Sequence, residues 1–371
     1  MTVTEPPLLP AERRERLLAD LRKRGTLRVS DIARSLGVTA VTVRRDVAQL
    51  ADEGAIERVH GGVRLPRQAE ATLEEAVETG DEISRPAVGM VVPSLDYYWP
   101  EIIRGARDAA PDAGVRIVLR GSSYDDVADV RRQVTWLLEN AGIEGLLIAP
   151  PTIGDDAADL IAWLAGLDVP VTLVERTATA GPFHEHLESV ATDHAFGASL
   201  AVRHLALEGH RRIGLVASAT SPHTRAIRRG WQEISAELDL DMDGNPEPLS
   251  PDHRSPGWSD YLDRTLDACT ATGTTALLVH SDREAILLVA RCEERGIRVP
   301  GDLAVVAYDD EVAGLAHPAI SAVRPAKHTI GETAVELLAK RVHATGERPV
   351  HRVLVDAQLI VRDSSRRPRS M

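Results

Sequence analysis

The sequence predicts an α/β protein in two parts: a short basic helical unit, then a long unit of parallel sheets. Three observations carry this. Charge is uneven, with thirteen basic against nine acidic side chains in residues 1–68, a net +4 that leaves −17 for the remainder. Two short helical patterns meet through Gly37-Val38 and are followed by two extended runs around Gly61-Gly62. From residue 87 onward, short apolar runs rich in β-branched residues alternate with helical patterns.

The chain's 371 residues are 43% apolar, 27% charged and 3% aromatic, a globular composition rather than a disordered or fibrous one. A chain this long should divide into two or three domains, because single cores stop growing at roughly 250–300 residues. No apolar run approaches the ~18 residues of a spanning helix. The opening MTVTEPPLLPAERRERLL lacks the basic and apolar regions of a secretory signal. Two cysteines, Cys269 and Cys292, stand outside any CxxC pattern, so a disulfide framework is not expected and a reducing cytoplasm is. The net charge of −13 speaks against a general nucleic-acid coat but leaves room for one small basic module.

In the first unit, Pro10 opens a helix in which Leu17, Leu18 and Leu21 fall at helical spacing before Gly25. Ser30 caps DIARSLG, where Ile32, Ala33 and Leu36 share a face and Gly37 ends the helix. Thr39 caps the next helix, whose Val43, Val47 and Leu50 recur at i, i+4 and i+7 until Gly54. Ile56–Val59 and Val63–Leu65 then flank Gly61-Gly62 as a β-hairpin, or wing. The acidic run 69–85 reads as a solvated linker, and 364–371 as a frayed tail.

Two short helices joined this way are a helix-turn-helix signal. In that motif the N-terminal half of the second helix enters the major groove of double-stranded DNA. Thr42, Arg44 and Arg45 lie there. Arginine donates two hydrogen bonds to guanine or clamps a phosphate, and Thr39 and Thr42 can hold phosphate oxygens. The run VSDIARSLGVTAVTVRRDVAQLADEGAIERVHGGVRL resembles the winged helix-turn-helix of DeoR-type bacterial repressors over residues 12–65. The resemblance implies that Thr42, Arg44 and Arg45 read an operator. It also implies that Arg58, His60 and Arg64 place the wing near the DNA backbone or minor groove.

Beyond the linker the strand candidates are 87–92, 115–119, 145–149, 169–175, 212–217, 276–280 and 303–308, with a late run at 351–361. Continuous apolar strands alternating with helices indicate parallel sheets covered on both faces. Ligands of such sheets bind outside the carboxyl ends of the strands. Tyr97, Tyr98 and Trp99 stand together after the first of these strands, three of twelve aromatics in the chain. Three adjacent rings cannot all face one core, so at least one is expected to stack on a ligand. Asp282 and Asp309 follow later strands, where each can cap a helix or accept hydrogen bonds from ligand hydroxyls.

Residues 86–363 resemble the effector-binding domain of LacI/GalR-type repressors, through MVVPSLDYYWPEIIRGARDAA, VATDHAFGASLAVRHLALEGHRRIGLVA, HSDREAILLVARCEERGIRVPGDLAVVAYDD and HPAISAVRP. The resemblance implies a two-lobed, periplasmic-binding-protein-like fold with three crossovers. Lobe one would hold about 86–189 and 325–354, and lobe two about 190–323 and 355–363. It implies that Tyr98 and Trp99 stack on the ligand and that Asp282 and Asp309 accept its hydroxyls. Tyr124, Glu175, Arg176 and Arg225 are further cleft candidates. Ser281 stands where that family usually has Asn, and Ile227 where it commonly has a ligand-clasping Arg.

No GxxxxGK[ST], GxGxxG or GxSxG motif is present, and HExxH is absent. His184 and His186 read as a solvated loop. No catalytic residue, metal site or cofactor is expected. The expectation is a ligand-responsive DNA-binding transcription regulator, a repressor by resemblance. It would act as a homodimer on operator DNA and respond to a small sugar or polyol, with no membrane partner. A sugar-modifying enzyme and a protein-partner module, each carrying a DNA-binding domain, are the alternatives.

Overall fold

The computed structural model describes residues 26–28, 32, 33, 35, 38, 42, 43, 47, 57–59, 62–64 and 84–366, apart from 125, 155, 252–254, 256 and 347. The chain divides into two units, residues 1–83 and 84–371.

In the first unit β1 (Thr26–Arg28), β2 (Glu57–Val59) and β3 (Gly62–Arg64) form an antiparallel sheet in the order β1-β3-β2. The hairpin β2–β3 pairs Val59 with Gly62 across His60-Gly61. The sequence reading contains this hairpin but not β1, which adds a third strand by pairing Leu27 with Val63. Ile32, Val43 and Val47 are buried, as an apolar stripe on each of two packed helices requires. The linker residues 69–83 and the tail residues 367–371 lie outside the described residues, whereas Ser364 and Ser365, expected in the frayed tail, are buried and hydrogen-bonded to Ser321 and the Val305 carbonyl.

The second unit holds two six-stranded sheets. Sheet one comprises β4 (Ala87–Val92), β5 (Arg116–Gly121), β6 (Gly145–Ile148), β7 (Val171–Val174), β10 (Glu188–Thr192) and β16 (Arg352–Val355). Its order is β16-β10-β7-β6-β4-β5, and every pairing is parallel. Sheet two comprises β11 (Ile213–Ser218), β12 (Leu249–Ser250), β13 (Ala276–Val279), β14 (Ala304–Tyr308), β15 (Ser321–Arg324) and β17 (Gln358–Ile360). Its order is β12-β11-β13-β14-β15-β17, parallel except for the last pair. A short hairpin, β8 (Thr179–Ala180) with β9 (Glu185–His186), stands apart from both.

The chain passes between sheets three times, after β10, after β15 and between β16 and β17. β10 and β15 are absent from the sequence reading. Both carry buried polar residues, Glu188, Ser189 and Thr192 in one and Ser321 in the other, which break the apolar run. Glu188 is accommodated by Arg341 at 2.6 Å. Because β10 runs to Thr192 in sheet one, the first crossover lies later than residue 190.

Among the described residues, eight α-helices flank the sheets: α1 (Trp99–Ala109), α2 (Val127–Trp136), α3 (Ala157–Ala165), α4 (His194–Leu207), α5 (Thr224–Glu237), α6 (Trp258–Thr272), α7 (Asp282–Glu294) and α8 (Lys327–Val342). Capping follows local chemistry. Asp193 accepts the Phe196 N–H at 2.9 Å to start α4. Before α7, the Ser281 N–H and hydroxyl both donate to Glu284. Helices α1 and α8 cross with backbones nearly touching, because Gly105 lies against the His328 carbonyl and Gly331 against the Ile102 carbonyl. This crossing fixes the start of α8, and with it Lys327, at the strand ends of sheet one.

Candidate functional site

Seven strand ends, from both sheets, deliver side chains to one polar cluster. After β4 come Tyr97, Tyr98 and Trp99; after β7, Glu175 and Arg176; at the end of β10, Thr192 and then His194. Sheet two adds His223 after β11, His280 after β13, Tyr308 and Asp309 at β14, and Lys327 after β15.

Glu175 is the hub. Its Oε1 accepts the Tyr98 hydroxyl at 2.7 Å and the Thr192 hydroxyl at 2.8 Å, and its Oε2 accepts the Thr192 N–H at 3.0 Å. His194 Nε2 lies 3.4 Å from Oε2. Burial alone would raise the Glu175 pKa, but His194 and these donors outweigh it and bring it down to about 2. The carboxylate is therefore ionised throughout the neutral range.

His194 Nδ1 lies 3.2 Å from the Tyr308 hydroxyl, which itself donates to the His194 carbonyl at 3.3 Å. Gly197, one turn on in α4, leaves room for that hydroxyl, which a Cβ would overlap. The His194 and His223 ring centroids lie 4.0 Å apart with the planes tilted by 34°. Arg176 donates to the Glu175 carbonyl at 2.8 Å, and the same nitrogen lies 3.3 Å from His223 Nε2. Burial first, then the charges of His194 and Arg176, pulls His223 well below the usual histidine pKa. Burial likewise lowers His280 to about 4, against the pull of Glu284. Arg176 and His223 thus join a side chain of lobe one to a side chain of lobe two.

Asp309 is buried, and its backbone takes a positive φ of 100°. Burial first, and then the neighbouring Asp282, raise its pKa well above the ordinary carboxylate value. Lys327 donates to the Asp309 carbonyl at 2.6 Å, pairs with Glu311 and faces the Tyr98 ring at 5.1 Å.

Several sequence expectations are corrected by this geometry. Asp282 is fully buried, and its carboxylate is occupied by four backbone amides, those of Asp310, Glu311, Val312 and Ala313 at 2.6–3.1 Å. It anchors the loop after β14 and has no oxygen turned to a ligand. Trp99 is 1% exposed and belongs to the core of lobe one; its indole N–H donates to the Tyr124 hydroxyl at 2.9 Å, so neither ring face is open for stacking. Tyr98 is buried with its hydroxyl committed to Glu175. Tyr97 is the aromatic that reaches lobe two, where the Arg283 guanidinium sits 4.5 Å above its ring. Arg225 is exposed on α5, and the buried guanidinium at the cluster is Arg176. His184 and His186 are exposed on the β8–β9 hairpin.

Sequence reasoning gave no role to His194, His223, His280 and Lys327. The signal was present for His223 and His280, which follow β11 and β13 within five residues of their carboxyl ends, but not for His194, which follows the unread β10.

In the first unit, Thr42 is half-buried on a helix, while Arg58 lies on β2 and Arg64 on β3. Thr39, Arg44, Arg45 and His60 lie outside the described residues.

Comparison with known proteins agrees with both units. The DeoR-like helix-turn-helix domain family matches residues 13–69, and the periplasmic binding protein-like domain family matches residues 202–365. The chain is similar to the HTH-type transcriptional repressor PurR of Photobacterium profundum, 24% identical over 348 residues, which are 91% of this chain and 98% of the relative. It is also similar to the arabinose metabolism transcriptional repressor of Geobacillus stearothermophilus, 23% identical over 343 residues, 91% of this chain and 90% of the relative. Among solved structures, the transcription regulator CcpA of Lactococcus lactis superposes with a TM-score of 0.62 at 18% identity, over 76% of this chain and 100% of that one. No helix among the described residues is long and apolar enough to cross a membrane. The chain is a DNA-binding transcription regulator in which a DeoR-like helix-turn-helix domain is fused to a two-lobed, periplasmic-binding-protein-like effector domain.

Proposed function

We propose that a small sugar or related polyol binds between the two lobes and controls the affinity of the helix-turn-helix domain for operator DNA. The observation that carries this reading is the convergence of seven strand ends from both sheets on one cluster, with Arg176 against His223 across the lobes. A ligand entering there must replace contacts made between lobes, so it binds different lobe arrangements with different affinity. That difference is the whole of what it can transmit. Glu175, Arg176, the imidazoles of His194, His223 and His280 and the Asp309 carboxyl together offer both donors and acceptors. Such a pattern suits vicinal hydroxyls, each of which both donates and accepts. The relative concerned with arabinose metabolism supports the same class.

The protein acts on this reading as a cytoplasmic repressor and not as an enzyme, because the cluster presents recognition groups without an activated nucleophile. It binds DNA as a homodimer, since one ~60-residue module buries little surface and twofold symmetry doubles it. Thr39, Thr42, Arg44, Arg45, Arg58, His60 and Arg64 form the DNA face. Tyr124, Arg176 and Asp309 border the ligand. The test is a pair of substitutions, Arg176→Ala and Asp309→Asn, in the full chain. Both variants are expected to bind operator DNA as the parent does and to lose the sugar response. A normal response in both overturns the placement of the ligand.

A further inference from the structure

We propose that Glu175, His194 and His223 form a binding site for one divalent transition-metal ion of the zinc class, joining the two lobes. The inference goes beyond the sugar reading and does not rest on it. One donor atom from each of the three side chains lies within 4.8 Å of the others. Zinc bonds oxygen and nitrogen at about 2.0–2.2 Å, so two ligands at a tetrahedral angle stand about 3.4 Å apart. His194 Nε2 and Glu175 Oε2 are 3.4 Å apart.

Proton placement makes the case specific. The Tyr308 hydroxyl donates its hydrogen to the His194 carbonyl, so its oxygen accepts from His194 Nδ1. That leaves His194 Nε2 facing the Glu175 carboxylate. This nitrogen is buried and makes no hydrogen bond despite its closeness. A cation lying off the line between them can bond both atoms at that separation. His223 Nε2 faces the Arg176 guanidinium, which can only donate, so this nitrogen carries a lone pair. Arg176 must swing aside for a metal, giving up the 3.3 Å contact to His223 and the 2.8 Å bond to the Glu175 carbonyl made by the same nitrogen, in exchange for a doubly charged ion.

The surroundings have the form expected around metal ligands. The second nitrogen of His194 is fixed by Tyr308, and the second oxygen of Glu175 by Tyr98 and Thr192. Two imidazoles and one carboxylate favour zinc, nickel or copper over magnesium or calcium. Three protein ligands leave a fourth position for water or a ligand hydroxyl. Glu175 follows a strand of sheet one, whereas His194 starts α4 and His223 precedes α5, both packed on sheet two. A bound ion therefore ties the lobes together.

The test is calorimetric titration of Zn²⁺ into the metal-free full chain, paired with the visible spectrum of the Co²⁺ form. The expected result is one Zn²⁺ per chain and the strong absorption of four-coordinate Co²⁺. His223→Gln should weaken binding at least tenfold, and His184→Gln, on the exposed hairpin, should not. Absence of Zn²⁺ binding, or binding that survives His223→Gln, overturns the site. If His223→Gln fails to fold by circular dichroism, the Co²⁺ spectrum of the parent decides, and six-coordinate Co²⁺ refutes the proposal. One zinc per chain with no sugar effect on DNA binding sustains this inference and sinks the sugar reading alone.

Discussion

Asp282→Asn separates a structural carboxylate from a ligand-binding one. In the parent, Oδ1 accepts the Asp310 N–H at 3.1 Å, and Oδ2 accepts those of Glu311, Val312 and Ala313 at 2.6, 2.9 and 3.1 Å. An Asn keeps one acceptor oxygen, best turned toward the three amides, and sets an NH₂ group against the Asp310 N–H. Hydrogen bonds to a charged partner contribute about 1.5–3 kcal/mol and neutral ones about 0.5–1.5, so three weakened bonds lose roughly 3 kcal/mol together. One N–H facing a donor costs about 1–3 kcal/mol more. Burial of a neutral amide in place of a charge returns part of this, as the upward push of burial on the Asp282 pKa shows. The net expectation is a destabilisation of about 2–4 kcal/mol. Chemical denaturation should show a lower midpoint, and hydrogen exchange should quicken at amides 310–313. Unchanged stability and exchange, combined with a lost sugar response, would refute the anchoring role and place Asp282 on the ligand.

Three further outcomes are expected. Gly331→Ala gains up to about 1 kcal/mol of helix propensity but drives a methyl into the Ile102 carbonyl, and overpacking of roughly 1–3 kcal/mol wins, so the denaturation midpoint falls; an equal or higher midpoint contradicts the tight α1–α8 crossing. His280 is held neutral in the fold to about pH 4 but protonates near 6.5 when unfolded, so stability is full above pH 6.5 and declines as pH falls toward 4; His280→Gln should flatten that decline, and an unchanged slope argues against it. Arg45→Ala should cost roughly 1–3 kcal/mol of operator affinity with discrimination lost at one base, measured at fixed salt, and unaltered specificity excludes a bidentate base contact.

The alternation of strands and helices was legible because β4, β6, β13 and β14 are continuous apolar runs buried on both faces. β10 and β15 were hidden by residues whose burial depends on distant partners. Glu188 needs Arg341 from α8, and Ser321 needs Ser364 and Ser365 from the chain end. The site followed the same division. That ligands gather at strand ends could be read locally, but which side chains turn inward could not. Asp282 and Asp309 look alike in sequence, each just beyond a strand. One is consumed by four amides of a loop 28–31 residues away, and the other has its pKa raised, by burial first and by the first one's charge second. Trp99 belongs to the core because the ring stands at the first turn of α1, with its indole N–H already matched by Tyr124.

The central claim is that a ligand between the lobes sets the affinity for DNA. The most direct test is binding of the full chain to its own upstream DNA at one fixed salt concentration, followed by fluorescence anisotropy with and without a panel of aldoses and polyols. Salt is held constant because phosphate contacts make affinity steeply salt-dependent. The account predicts a specific complex whose affinity one member of the panel shifts at least tenfold, about 1.4 kcal/mol of coupling. Specific binding that no sugar or polyol alters would contradict it.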